Sequence, residues 1–294
     1  MGKNITEEEL KELPANKPIK LHNVTCVYCS TELSKVKSNE EHVIARKFVP
    51  KGSLNKYWNL IVRSCEVCNN KKSDLEDDIS SITMQPDLYG SYVVDDESLV
   101  SDSIRKSKSF SRRTSKRVSD STEELTLKAP FLGGNITFNF ISSPQIDPDR
   151  AFELARLHVT AFFYWLTYDE TAKIGKFWEG FYFPIQVTSN KDWGSHLNTT
   201  FMKLVLDWEL VLHGETADGF FKFIIRKEPE STCWSWALEW NKNYRVIGLF
   251  GNKESIENFN SLLGAPKVKI INKSTYRKEI PLSKEDDSLF KLSI

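Results

Sequence analysis

The chain has 294 residues, more than a typical single domain, and its composition of 40% hydrophobic and 27% charged residues is that of a globular protein, which excludes disordered and fibrous classes. Its 40 basic and 40 acidic residues cancel, so no overall charge attracts nucleic acid or a membrane. The most apolar helical segment, 159–166, is far shorter than the ~20 residues of a membrane-spanning helix. The sequence therefore predicts no membrane association.

Cysteine usage is concentrated near the start of the chain. Residues 1–20 carry four glutamates and two prolines in place of an apolar secretory signal, which predicts a cytoplasmic protein without disulfides. Four of the five cysteines form two Cys-x-x-Cys pairs, Cys26/Cys29 and Cys65/Cys68. Four thiolates complete the tetrahedral set of a structural zinc, whereas a redox site needs a single pair. We expect zinc to supply folding free energy here.

Charge is distributed in three adjacent blocks of alternating sign. Residues 17–72 have a net charge of +7, residues 73–104 a net charge of −9, and residues 105–117 a net charge of +7. In the last block the spacing of three and four residues would place four cations on one helix face: Arg105, Lys108, Arg112 and Lys116. Such a stripe could contact a phosphate backbone, and the alternative is a solvated linker helix whose charges balance the acidic block.

The second half of the chain has the pattern of an α+β unit. Alternating residues around 125–127 and 136–140 predict two strands, and Asp149 is a candidate cap for an apolar helix from Arg150 to about Leu166. His158 falls in that helix and is interpreted as a core residue. Segments 220–225, 234–240 and 245–250 predict an antiparallel meander with a tryptophan-rich face. A final helix is expected to bury four apolar side chains: Ile256, Phe259, Leu262 and Leu263.

Further motifs lie between and after the cysteine pairs. They are Glu40-Glu41-His42-Val43-Ile44, the Asn59-Leu60 dipeptide, and Asn69-Asn70-Lys71-Lys72 directly after the second pair. In this order the segment 26–78 resembles the HNH endonucleases of the ββα-metal superfamily, in the version held by a four-cysteine zinc. The resemblance covers under a fifth of the chain and implies an α+β protein with a small zinc-bound ββα-metal (HNH) domain.

The resemblance implies a role for each of these residues. His42 is expected to be the general base, and Asn59 to fix the loop after it. Glu41 and Asn69 are expected to bind a catalytic Mg²⁺ or Mn²⁺, and Asn69 counts among the catalytic residues. The alternative ligands are Glu40 and Asn70. Lys72 is the expected phosphate contact on the helix that starts near Asn69, with a solvated helix lysine as the alternative.

These residue types also suit phosphodiester hydrolysis on chemical grounds. A histidine with an ordinary pKa is partly neutral at physiological pH and can accept a proton from water. A hard divalent cation prefers oxygen ligands, which Glu41 and Asn69 offer. Because neighbouring residues of a strand point to opposite faces, Glu41 and His42 can share a site only where the strand ends or bends. The amide of Asn59 can hydrogen-bond the backbone of the loop after His42 with both of its ends.

The sequence therefore predicts a metal-dependent endonuclease that hydrolyses DNA, with restriction or anti-phage defence as the expected context. The alternatives are a zinc-dependent nucleic-acid-binding module that does not cut, and a nuclease that acts on RNA. A homodimer or a partner protein is expected to bind through the C-terminal unit. The predicted organisation is an N-terminal extension 1–16, a zinc-bound HNH domain 17–80, a charged linker with a basic helix 81–120, and a larger α+β domain with an antiparallel sheet 121–294.

Overall fold

The protein is described from a computed structural model. The residues that it describes are 16–87, 89–110, 115–120, 123–131, 134–142, 146–264, 269–271, 274–276 and 279–292. The expected N-terminal extension lies almost entirely outside this set.

The cysteine-containing segment folds into a small sheet covered by one helix. Strands β1 (Ile19–Lys20), β2 (Ser38–His42) and β3 (Leu60–Cys65) form a three-stranded sheet in the order β1-β3-β2. Strands β2 and β3 are antiparallel, with Glu41 opposite Val62 and His42 opposite Ile61. Helix α1 (Glu66–Thr83) follows β3 without a loop, and Cys65 is its N-cap. The order of two antiparallel strands and a helix is that of a ββα unit.

The charged segment after α1 is less helical than the sequence predicts. Helix α2 (Glu97–Ser107) begins with the Asp96 side chain accepting a hydrogen bond from the Leu99 amide. It ends before Lys108, and Phe110 then pairs with Arg117 as an isolated antiparallel bridge. The described residues 108–110 and 115–117 are not helical, so the expected helix does not run on from α2 there. The Ser109 hydroxyl donates to the Lys106 carbonyl, and serine side chains that bond nearby backbone in this way compete with helix continuation.

A strand pair and a long helix follow. Strands β4 (Glu123–Phe131) and β5 (Gly134–Ser142) are antiparallel, as the alternating pattern predicts. Helix α3 (Pro148–Leu166) starts two residues earlier than expected. Its N-cap is Asp147 instead of Asp149, because Pro148 is suited to the first helical position and the Asp147 carboxylate accepts from the amides of Asp149 and Arg150.

The C-terminal half is built on a five-stranded antiparallel sheet. Its order is β6-β10-β9-β8-β7, from strands β6 (Phe181–Ser189), β7 (Glu209–Thr216), β8 (Phe221–Lys227), β9 (Cys233–Trp240) and β10 (Tyr244–Gly251). The predicted meander is its central part, with two flanking strands added. Asn241 and Lys242, in the connection between β9 and β10, have φ of 54° and 55°, the left-handed conformation that asparagine tolerates in tight turns.

Two helices cover the far face of this sheet. They are α4 (His196–Val205) and α5 (Lys253–Leu263), and a short antiparallel pair follows, β11 (Lys269–Ile271) and β12 (Ser274–Tyr276). Ile256, Phe259 and Leu263 are buried as expected. Leu262 was expected in the core but is 62% exposed, because it lies on the side of α5 that faces away from the sheet.

Of the two hydrophobic clusters among the described residues, the larger is common to both halves of the chain. A single cluster of buried side chains joins Val43, Phe48 and Trp58 of the first half to Phe162 of α3 and Trp240 of the sheet. Hydrogen bonds reinforce it, since the Asn241 amide donates to the Phe48 carbonyl. This cluster spans the predicted boundaries at 80 and 120, and the division into domains stays a prediction. Within the described part of the chain, no helix has the length and apolar character needed to cross a membrane.

Candidate functional site

The two cysteine pairs meet at the junction of β3 and α1. The four sulfur atoms all lie within 4.8 Å of one another, and they belong to Cys26, Cys29, Cys65 and Cys68. The Cys29 and Cys65 sulfurs are 3.8 Å apart, close to the edge of a tetrahedron with Zn–S bonds of about 2.3 Å. This set fits a structural zinc, which these four residues would hold.

Local turns explain why the sulfurs converge. The first pair sits in a tight turn closed by the Cys26 amide donating to the Thr31 carbonyl and by a bridge between Thr25 and Glu32. Cys65 ends β3, and Cys68 lies one turn into α1. The Cys65 amide also donates to the Cys26 sulfur at 3.3 Å. The backbone thus brings together cysteines that are about 36 residues apart in sequence.

The thiols do not ionise together by themselves. Burial raises the pKa of Cys26 to about 11 and also raises the pKa of Cys68. Burial acts in the same direction on Cys29, but hydrogen bonds with Thr31 bring its pKa down to about 7. Because a metal binds the thiolate form, a divalent cation at this position would offset the cost of four neighbouring negative charges.

Strand β2 ends at the candidate catalytic residues. Glu41 is only 6% exposed and its carboxylate pairs with Lys72 of α1, whereas His42, the last residue of the strand, is half-buried. Burial lowers the pKa of His42, and the positive charges of Arg46 and Lys72 act in the same direction. Its imidazole is therefore neutral at physiological pH, the form that accepts a proton.

Lys72 does not lie where a phosphate contact was expected. Its side chain is fully buried, and its ammonium has three acceptors: Glu41 Oε1 at 2.6 Å, Glu76 Oε1 at 2.6 Å and the His42 carbonyl at 3.3 Å. Burial by itself would lower the pKa of Lys72, but the two carboxylates raise it above its ordinary value. The lysine lies on the helix face that packs against β2, and this is why it is enclosed.

The two carboxylates of this group differ. Burial raises the pKa of Glu41, and the charge of Glu76 adds to this rise, although Lys72 acts in the opposite direction. Burial also acts to raise the pKa of Glu76, but Lys72 and His158 outweigh it and lower the value. The His158 ring of α3 lies 3.6 Å from Glu76 and is completely buried, and burial lowers its pKa to about 4. We call Glu41, Lys72, Glu76 and His158 the buried cluster.

Asn59 fixes the turn after β2 in the way the sequence analysis expects. Its Oδ1 accepts from the Ile44 amide at 3.3 Å, and its Nδ2 donates to the Ile44 carbonyl at 2.8 Å. One residue further on, the Ala45 amide donates to Glu76 Oε1 at 3.2 Å. The backbone on the C-terminal side of His42 is therefore held by two buried side chains.

Replacing Asn59 with alanine is expected to destabilise the protein by about 2–4 kcal/mol, because both polar groups of Ile44 lose their partner inside the protein. Denaturant unfolding measures the loss, and the exposed Asn55→Ala variant is the control, for which a change within about 0.5 kcal/mol is expected. Equal stability of the two variants would contradict this role of Asn59.

The candidate ligands of a catalytic cation lie on both sides of the interface between β2 and α1. Asn69 is partly buried in the first turn of α1, and Asn70 beside it is exposed. Glu40 is exposed and paired with Lys20, so Glu41 is the buried acid. Glu41 Oε2 is buried and makes no hydrogen bond within 3.5 Å to the described residues, although the Tyr28 hydroxyl is near enough to act to lower the pKa of Glu41. Carboxylate and amide oxygens suit a hard cation, which Glu41 and Asn69 would hold.

Of the basic residues in the block 105–117, Arg105, Lys108 and Lys116 are exposed, whereas Lys106 is buried and donates to the Ser80 hydroxyl. Arg105 pairs with Asp102 on its own helix, Lys108 caps α2, and Lys116 lies in the segment that folds back. Arg112 lies outside the described residues. Arg105 and Lys108 thus lie at the C-terminal end of α2, and Lys116 lies beside the bridge between Phe110 and Arg117. The three described cations do not share one face of a helix.

Glu76 was not predicted as a site residue from the sequence, and His158 was predicted only as a core residue. The spacing of Lys72 and Glu76, four residues apart, was a signal for the first, since such pairs face each other on a helix. No comparable signal exists for His158, because its partner lies 82 residues earlier in the chain.

Comparison of the chain with protein-family models, with curated proteins and with solved structures gives no match.

Proposed function

We propose that this protein is a metal-dependent endonuclease of the HNH type that hydrolyses phosphodiester bonds in DNA. The observation that carries the proposal is the fixed segment 41–45. A neutral, half-buried histidine stands at the end of β2, and its backbone is held on one side by Lys72 and on the other by Asn59. Such an arrangement orients one base at the edge of the ββα unit.

The chain's own residues support each requirement of the reaction. His42 would accept a proton from the attacking water, for which its lowered pKa is suited. The amides at the start of α1 add positive potential near the expected phosphate position. A divalent cation bound by Glu41 and Asn69 would supply charge neutralisation at the phosphate. The zinc-binding cysteines would hold β3 and α1 together beneath the site.

The expected result for His42→Ala is a fall in cleavage of about 10²–10⁴-fold, because a general base contributes that much. The measurement is nicking of supercoiled plasmid in the presence of Mg²⁺ or Mn²⁺. The variant is expected to keep its thermal stability, since the imidazole is only half-buried. Cleavage by the variant at the wild-type rate would contradict the role of His42.

One observation favours a second candidate function, a zinc-dependent nucleic-acid-binding module that does not cut. The carboxylate of Glu41 already pairs with Lys72 through Oε1, and this ammonium competes with a metal for the charge of that carboxylate. In this case the wild-type protein would bind DNA and leave plasmid intact with either cation. The plasmid measurement therefore distinguishes the two functions.

The class of nucleic acid is a further part of the proposal. The exposed cations Arg105, Lys108 and Lys116 support binding of a phosphate backbone, and DNA and RNA share that backbone. Labelled duplex DNA, single-stranded DNA and RNA, compared as substrates, test the preference for DNA. Restriction or anti-phage defence is the proposed context, and a homodimer or partner protein on the C-terminal half is the proposed assembly.

A further inference from the structure

Polar atoms of the buried cluster converge on the short segment that carries His42. The three acceptors of the Lys72 ammonium include the Glu41 carboxylate and the His42 carbonyl, which belong to adjacent residues of this segment. The third acceptor, Glu76 Oε1, also receives the Ala45 amide. Oε1 of Glu76 thus contacts both the Lys72 ammonium and the backbone amide of Ala45 in the turn after β2.

A burial cost of this size calls for an explanation. Taking an ammonium and two carboxylates out of water costs several kcal/mol per ion, and apolar side chains of similar volume often stabilise a protein as well or better. Here Lys72 is 0% exposed and Glu76 4% exposed. The group makes directional bonds to three positions of one segment, which apolar side chains could not do.

Helix α3 adds a polar contact from the other half of the chain. Three aromatic rings surround His158, with centroids 5.6, 5.2 and 5.9 Å away, from Phe48, Phe221 and Trp240. Neither ring nitrogen makes a hydrogen bond within 3.5 Å to the described residues, and the polar groups that act on the ring include the Glu76 carboxylate, 3.6 Å from Nε2, and the Val43 backbone. Burying a polar imidazole among aromatic rings costs free energy unless a polar neighbour, here the Glu76 carboxylate, interacts with it.

We propose that Glu76 is a positioning residue for the candidate active site, supported from α3 by His158. Glu76 orients Lys72 and the Ala45 amide, and through them sets the position of His42. This inference rests on the proposed nuclease function. It assigns the C-terminal half a part in the site, because α3 supplies the side chain that backs Glu76.

The first test is Glu76→Gln, which keeps the size and one acceptor oxygen and removes the charge. The expected result is a fall in kcat of about 10–100-fold with KM within about twofold, since a displacement of about 1 Å at a catalytic group costs up to 10²-fold. Hydrogen exchange of the peptide 43–47 is expected to become faster. The control is Glu257→Gln, because Glu257 forms the same (i, i+4) pair with Lys253 on the solvent-exposed face of α5. It should leave kcat and exchange unchanged.

The second test is His158→Phe, which places an apolar ring among the three aromatic rings. We expect a protein at least as stable as the wild type with kcat lowered by about threefold to tenfold, a combination that a purely structural histidine would not give. This variant decides the question if Glu76→Gln does not fold. Wild-type kcat in His158→Phe, or in folded Glu76→Gln, would overturn the inference. A wild-type protein that does not cleave would instead overturn the proposed function, and hydrogen exchange in the variants would still report on positioning.

Discussion

Replacing Cys26 with serine is expected to abolish zinc binding and to unfold the N-terminal half of the protein. Structural zinc contributes about 10–16 kcal/mol of apparent binding free energy in small zinc-binding units at pH 7. This exceeds or equals the total stability of about 5–15 kcal/mol of most proteins. Cys26 is fully buried beside the other three sulfurs, so no solvent-facing ligand can replace it.

Metal analysis and thermal unfolding check this prediction. Wild-type protein is expected to carry one zinc per chain and Cys26→Ser none. Cys233→Ser is the matched control, because Cys233 is equally buried but lies in β9 away from the cluster. It should keep its zinc and lose only the about 1–3 kcal/mol that a buried hydroxyl costs. A zinc-free Cys26→Ser protein that unfolds at the wild-type temperature would contradict the structural role of the cluster.

The shared core sharpens this expectation. Because Phe48 and Trp58 pack in one cluster with Phe162 and Trp240, loss of the zinc-bound half removes one side of the core of the C-terminal half. We therefore expect a single unfolding transition in the wild type and exposure of tryptophan in the metal-free variant. Two separate transitions would be expected from two independent domains.

Local sequence signals predicted the elements well where the signal was itself local. The period-two pattern around Trp236 and the Cys-x-x-Cys pairs correctly identified a strand and a group of four cysteines that could hold zinc, because alternation and ligand spacing act over a few residues. The two-ended hydrogen bonding of Asn59 followed from its amide chemistry. The family resemblance itself is not matched by any comparison.

Long-range packing decided the features that the sequence did not predict. Residue type and sequence position both predict that Lys72 is an exposed lysine on a helix. Only the packing of α1 on β2 shows that its side chain is buried. The contact between His158 and Glu76 joins two helices separated by the whole charged segment. The cluster shared by the two halves likewise depends on how α3 packs between α1 and the five-stranded sheet. Periodicity within α3 cannot reveal this packing. For the same reason, charge order alone led to a helical stripe at 105–116 that the turn at Ser109 interrupts.

Replacing Lys72 with methionine is expected to destabilise the protein by about 3–5 kcal/mol. The substitution keeps the volume of the side chain but leaves two buried carboxylates, Glu41 and Glu76, without a cation. Lys71→Met is the matched control on the next residue of the same helix. The Lys71 side chain is 58% exposed, and its ion pair with Glu153 is a surface pair worth at most about 1 kcal/mol.

The pH dependence of this loss separates charge from packing. In the wild type, the lowered pKa of Glu76 means that its contribution is present at neutral pH and is lost as the pH falls through that lowered value. Without Lys72 both carboxylates would take up protons more readily than at their ordinary pKa of 4.5, so acid relieves the variant. The stability difference between Lys72→Met and wild type, measured by denaturant unfolding, should therefore shrink as the pH falls from 7 towards 4.5. A difference below about 1 kcal/mol at pH 7, together with weakened DNA binding, would instead indicate that Lys72 leaves the cluster and contacts phosphate.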